Sequence, residues 1–353
     1  MKLFLCGDVM TGRGIDQVLA HPGDPALDEP WAKDARDYIE LAERANGPIP
    51  RAVAPDYVWG DALALLAEER PDLRIANLET AVTARGARAP KGIHYRMHPA
   101  NVECLSAARL DCCVLANNHV LDWGVRGLED TLDALHDAGL RTAGAGRDAA
   151  GATAPAVLEA QGARVLVFAY GLQSAGVPPG WAAGAGRPGV SFLADLSPAS
   201  ADRVAAQVRA ARRDGDRVVV SLHWGPNWGY AVDREQRDFV RRLVDAGAAD
   251  VVHGHSSHHP MSLEVHRDRL ILYGCGDLIN DYEGIEGHEA FRPALALMYF
   301  ATLSPDGALR GLALRPVRRR RFRLERGGAA DAAWLEATLR RERGAHFDPA
   351  WLR

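Results

Sequence analysis

The chain is poor in cysteine, has no long apolar run and carries almost no excess of charge. Its five cysteines, Cys6, Cys104, Cys112, Cys113 and Cys275, include no CxxC pair and no regularly spaced framework. The number is odd and Cys112-Cys113 sits within an apolar run, so the reading is buried free thiols in a reducing compartment. No segment offers an uninterrupted apolar span for a bilayer. The opening MKLFLCGDVMTGRG is too short for a signal-peptide core. The expectation is a cytoplasmic protein with no membrane partner. Lys and Arg number 42 against 46 Asp and Glu, a net charge of −4, which gives no global attraction to nucleic acid. Any partner must be recognised at a local site.

No internal repeat or low-complexity linker divides the 353 residues, and 47% of them are hydrophobic, enough for a substantial core. A single domain over residues 1–353 is expected, with an excursion at about 20–60 and a strand/helix extension from about 294. KLFLC reads as a buried strand. LRIANLET, CCVLANNH, ARVLVFAYG, RVVVSLHWG and VVHGH are further strands, each approached through a helical or turn segment. RGLEDTLDALHDAGL places Leu128, Leu132 and Leu135 on one helical face, closed by Gly139. LEVHRDRLILYGCGD reads as a hairpin turning at Arg267-Asp268. ALALMYFATLSPDGALRGLALRPV reads as two strands joined by a Pro-Asp-Gly turn. The alternation predicts an α/β fold in layers, with central mixed sheets flanked by helices. The basic run Arg318 to Arg323 reads as a solvated strand edge.

Polar residues follow strand after strand: Asp8, then Asn77 and Glu79, then Asn117, Asn118, His119 and Asp122, then His223, then His253 and His255, then Asp277. In α/β sheets ligands gather beyond the carboxyl ends of strands. Carboxylate, amide oxygen and imidazole together suit a divalent ion such as Mn, Fe or Zn. Taken singly, Asp8 and Asp122 could cap helices and the asparagines could close turns. Their repetition at one rim favours a metal site.

These motifs, GDVMTGR, ANLET, NNHVLDWG, SLHWG, GAADVVHGHSSH and LILYGCGDLIND, resemble in order the calcineurin-like metallophosphoesterases. Within them they are most similar to the CapA family of poly-γ-glutamate capsule synthesis. The resemblance implies a metallophosphatase-like fold and a metal-dependent hydrolase. One ion would be held by Glu79, Asn118, His223 and His253, and a second by Asp8, Glu79 and His255. Met10 stands where the superfamily has a histidine ligand, so the second ion has one protein ligand fewer. His119 would act as the acid, oriented by Asp122. His258 and His259 have no counterpart in that set and are expected at the rim.

The implied substrate is a phosphoester or an anionic peptide or amide of poly-γ-glutamate type. Arg13, Lys91 and Arg96 are candidate anchors for its charge, although an exposed arginine with no ligand is the ordinary case for each alone. Trp224, beside His223 in HWGPNWGY, is a candidate pocket wall. Two other classes use the same residues. A metal-dependent acid/base enzyme such as a peptide epimerase would exchange a Cα proton without cleavage, and a non-catalytic protein would keep the metal loops as scaffold.

Overall fold

In a computed structural model, residues 1–341 and 348–352 are described. Two mixed sheets pack face to face and helices cover both outer faces. The first sheet runs, in spatial order, Arg323–Arg326, Leu309–Arg320, Leu295–Leu303, Lys2–Val9, Leu73–Leu78, Cys112–Val114 and Arg141–Ala143. The short strand Asp277–Ile279 pairs in parallel with the end of Lys2–Val9. The second sheet runs Phe192–Leu193, Ala163–Leu172, Arg217–His223, Val251–His255, Arg269–Leu272 and Leu263–His266, and Ala156–Ala160 also pairs with Ala163–Leu172.

Strand alternation builds the layers. Leu3, Leu5, Ile75, Val114, Val167, Val219 and Val251 meet between the sheets. On the other face of the first sheet, Phe4 and Ala76 pack with Leu65, Leu128 and Leu132 of the helices Ala62–Glu69 and Gly124–Asp137. Val218, Val220 and Val252 pack against the helices Pro198–Ala211 and Arg234–Asp245 on the far face of the second. The layered α/β expectation holds, as does the hairpin at Arg267-Asp268, where φ is 48° and 61°. All five cysteines are buried and free. Among the described residues no helix is long and apolar enough to cross a membrane.

Three parts sit differently from expectation. The excursion is part of the first core: Tyr38, Ile39 and Ala42 of the helix Arg36–Asn46 are buried. The segment from 294 forms the expected two strands and helix, but within the first sheet, where Leu295–Leu303 is hydrogen-bonded antiparallel to Lys2–Val9. The basic run is not uniformly solvated. Arg319 is 3% exposed, and its guanidinium donates to the carbonyls of Asp277, Leu278, Pro293 and Leu295.

Candidate metal centre

The strands end in register, and that register makes the site. Ser221 lies beside His253, and one step on in the same facing row His223 lies beside His255. A bulge at Gly7 pairs Cys6 with Ala76 but Asp8 with Asn77. Ala76 faces the helices, so the extra residue turns Asp8 to the inter-sheet side with Asn77. Gly7 must be glycine: a Cβ there would lie 1.8 Å from the Gly276 carbonyl oxygen. That close approach sets Asp277 directly beside Asp8.

Two groups of side chains converge as a result. Asp8, His223 and His255 bring one ligand atom each within 4.8 Å of one another, and so do Asp8, His258 and Asp277. All five residues are buried. Asn118 Oδ1 lies 3.0 Å from His223 Nε2, and His223 Nδ1 lies 2.8 Å from His255 Nδ1. Asn77 donates to Asp8 Oδ1 at 2.7 Å and fixes its carboxylate. Glu79 enters from past the strand end, with Oε1 3.9 Å from His223 Nε2. Its Oε2 is buried and has no hydrogen-bond partner among the described residues. Burial, and then the neighbouring Asp8, push the Glu79 carboxyl well above its usual range. Asp8 is pushed up to about 7, first by burial and then by Asp277. Three buried carboxyl groups with an orphaned oxygen, faced by imidazole nitrogens, are a donor set that could hold a divalent cation, and the residues fit one.

Beside this cluster stands an acid–base group. His119 Nδ1 is 2.6 Å from Asp122 Oδ2, and its Nε2 is 3.7 Å from Glu79 Oε1. Asp122 also accepts from Lys91 Nζ at 2.7 Å and from the Tyr95 amide at 2.7 Å. Lys91 reaches back to the Asn118 carbonyl at 2.5 Å. The Tyr95 ring meets the His119 ring edge to face, centroids 4.6 Å apart. Burial draws the His119 pKa down to about 4 against the opposing pull of Asp122. The imidazole is therefore neutral at pH 7, with its proton on Nδ1 toward Asp122. Asn117, next in sequence to Asn118, points away. It bonds to Asn77 and the Leu78 carbonyl and accepts the His119 and Val120 amides.

The structure therefore brings together Asp8, Glu79, Asn118, His119, Asp122, His223 and His255 of the expected residues. His253 stands apart. It lies one row below His255, with its Nε2 2.7 Å from the Cys6 carbonyl oxygen and its Nδ1 3.2 Å from Ser221 Oγ. His258 lies deeper than the expected rim, in the wall of a cavity. It is 7% exposed, with Nδ1 2.9 Å from Asp277 Oδ1. His259 is buried too, its ring against Tyr230 and Phe291.

Of the expected anchors, Arg13 is buried and already neutralised. It forks onto Asp281, with contacts of 3.2 and 2.6 Å, and reaches Glu29 at 3.0 Å, between the rings of Tyr38 and Tyr95. Arg96 stacks on Trp123 at 3.8 Å and donates to the Asp24 carbonyl. Trp224 is a core residue, stacked on Tyr273 and donating to its carbonyl at 2.9 Å. Lys91 belongs to the His119 group. Sequence reasoning passed over His258 and left Asp277 out of the ligand set. The signal for Asp277 was its place after a Gly-Cys-Gly run at a strand end.

The Bacterial capsule synthesis protein PGA_cap family model matches residues 2–282. The chain belongs to this family. Among PGA_cap relatives it is 49% identical over 345 residues to a protein of Mycobacterium tuberculosis named probable polyglutamine synthesis accessory protein, covering 97% of this chain and 90% of that one. It is 28% identical over 278 residues to the PGA biosynthesis protein CapA of Bacillus subtilis, covering 78% of this chain and 62% of that one. A crystal structure described as a putative 5'-nucleotidase from Staphylococcus aureus aligns at a TM-score of 0.47 and 10% identity, over 89% of this chain and 54% of that one. An alignment that loose decides neither reaction nor substrate.

Proposed function

We propose that this PGA_cap protein is a metal-dependent hydrolase of a phosphoester. The observation that carries the reading is the buried set of Asp8, Glu79, Asp277, His223, His255 and His258, with Glu79 Oε2 left bare, against the oriented His119. A divalent cation held there would supply a lowered pKa for bound water and charge neutralisation for an oxyanion. Asp8, His223 and His255, with Glu79 and Asn118 beside them, would hold one ion. Asp8, His258 and Asp277 would hold another.

The chain's own groups do the rest. Asp122 fixes the Nδ1–H tautomer of His119, leaving Nε2 free to take a proton and return it to a leaving group. Lys91 holds Asp122 and the Asn118 backbone, and so ties the proton carrier to the ligand loop. Tyr95 and Tyr282, whose hydroxyls lie 3.0 Å apart, close the side occupied by Met10. Met10 Sδ faces the Tyr282 hydroxyl at 3.9 Å and offers a hard cation little.

A second reading, hydrolysis of an amide in a glutamate polymer, takes only its substrate class from relatives named for polyglutamine synthesis and PGA biosynthesis. One experiment separates them. Protein purified without chelators is analysed for bound metal and assayed on phosphoesters and on γ-linked glutamate peptides. Metal near one or two equivalents, with phosphoester turnover that His119→Ala removes, supports the proposal. Cleavage of γ-glutamyl peptides alone turns it to the amide reading. Solvent deuterium in uncleaved peptide would replace both with proton exchange.

A further inference from the structure

A chamber of about 570 Å³ opens beside the Asp8–His258–Asp277 group, with His258 and Tyr282 in its wall. Its chemistry does not match a carboxylate-rich chain. Of the described residues lining it, Arg13 alone carries a permanent positive charge. That charge is met by Asp281 and Glu29 behind two tyrosine rings. Glu286, also in the lining, adds negative charge. Among the described lining residues a polyanion would find no unpaired cationic side chain and one like charge; cation contact would come only at the carboxylate–histidine group.

The chamber offers flat rings instead. Trp228 and His288 lie face to face, centroids 3.9 Å apart and planes 8° from parallel. In the same lining Trp31 is 66% exposed, more than any other large hydrophobic side chain among the described residues. It is not loose: its indole N–H donates to the Tyr38 hydroxyl at 2.8 Å, and Tyr38 is fixed against Glu29 and Arg13. A tryptophan pinned in the chamber lining with its ring uncovered is a preorganised stacking platform.

We infer that the chamber binds an uncharged flat ring carried by the substrate, stacked on Trp31 and held near Trp228, while the reacting group lies at the carboxylate–histidine cluster. The inference rests on the phosphoester reading only for what the ring is attached to. Ring binding itself is independent of turnover.

The test titrates metal-loaded protein with adenosine, as a neutral flat ring, and separately with tri-γ-glutamate. Tryptophan fluorescence and calorimetry are the readouts. Adenosine is expected to bind and to change the fluorescence. Trp31→Ala, a change at an exposed site, should weaken that binding on the order of tenfold, and Trp31→Phe should restore most of it. Tri-γ-glutamate should not displace adenosine. Absent adenosine binding, equal affinity in Trp31→Ala, or displacement by tri-γ-glutamate would each overturn the inference. Turnover of ring-free β-glycerophosphate is followed in parallel. Turnover without ring binding sinks the chamber alone, and ring binding with no turnover of any phosphoester sinks the hydrolase alone.

Discussion

His253 and His258 provide the sharpest test, because the resemblance and the geometry assign them opposite roles. His253→Ala removes contacts to the Cys6 carbonyl at 2.7 Å and to Ser221 at 3.2 Å, both buried. Ser221 keeps His255 Nε2 at 2.7 Å, so the main loss is the imidazole contact to the Cys6 carbonyl and the space left by the ring. That costs about 2–4 kcal/mol of stability. Bound cation should be retained. His258→Ala removes a candidate ligand and leaves the Asp277 carboxylate with Asn280 as its remaining side-chain hydrogen-bond partner. Breaking a buried pair costs about 3–5 kcal/mol. Stability alone therefore does not separate the variants; metal content does. Elemental analysis of chelator-free preparations, with calorimetric titration of the stripped proteins, should show near-normal metal in His253→Ala and a deficit in His258→Ala matching that of His255→Ala. A His253→Ala protein that is folded but as metal-poor as His255→Ala, beside a fully loaded His258→Ala, would refute the reasoning.

The other predictions concern the groups around that cluster. His119→Ala should lower turnover by about 10²–10⁴-fold with metal content unchanged, measured on one preparation by kinetics and elemental analysis. Lys91→Met frees Asp122 and the Asn118 carbonyl, and should reduce kcat on the order of ten- to a hundredfold with a smaller effect on melting temperature. Arg13→Gln leaves Glu29 and Asp281 buried without their cation. It should cost about 3–5 kcal/mol in denaturant unfolding, whereas an open substrate anchor would raise KM and leave stability unchanged. Arg319→Lys cannot span the carbonyls that Arg319 holds behind Asp277 and should cost about 2–4 kcal/mol in the same assay.

The layers were legible because burial writes itself into strand alternation. Val218 and Val220 face the helices and Val219 faces the other sheet, so RVVVSLH reads as a strand covered on both sides. What the sequence hid was distance in space. Arg13 looks like a free anchor until Glu29, 16 residues on, and Asp281, 268 residues on, close around it. Trp224 and Trp228 are equally aromatic in HWGPNWGY. One follows the strand end into the helix-side core and the other turns out to the chamber, a difference of backbone direction and not of residue type.

The same limit explains the histidines. A period of two puts His253 and His255 on one face, which made them look like a pair of ligands. Depth separates them, since only the last residue on that face clears the core. Ser221 and His223 repeat the division, the serine tied to His253 and His255, the histidine facing Asn118 and Glu79. Asn77 and Glu79 repeat it again: Asn77, inside the strand, braces Asp8, and Glu79, past its end at Leu78, presents an unpartnered oxygen. In each pair the inner polar residue is a strut and the outer one faces the site. His258 is reached only after the chain leaves the strand and turns through Ser256 at φ 99°. No strand periodicity extends to it, so it drops out of a reading based on strand ends, and the partner that gives it a role, Asp277, lies on the other sheet.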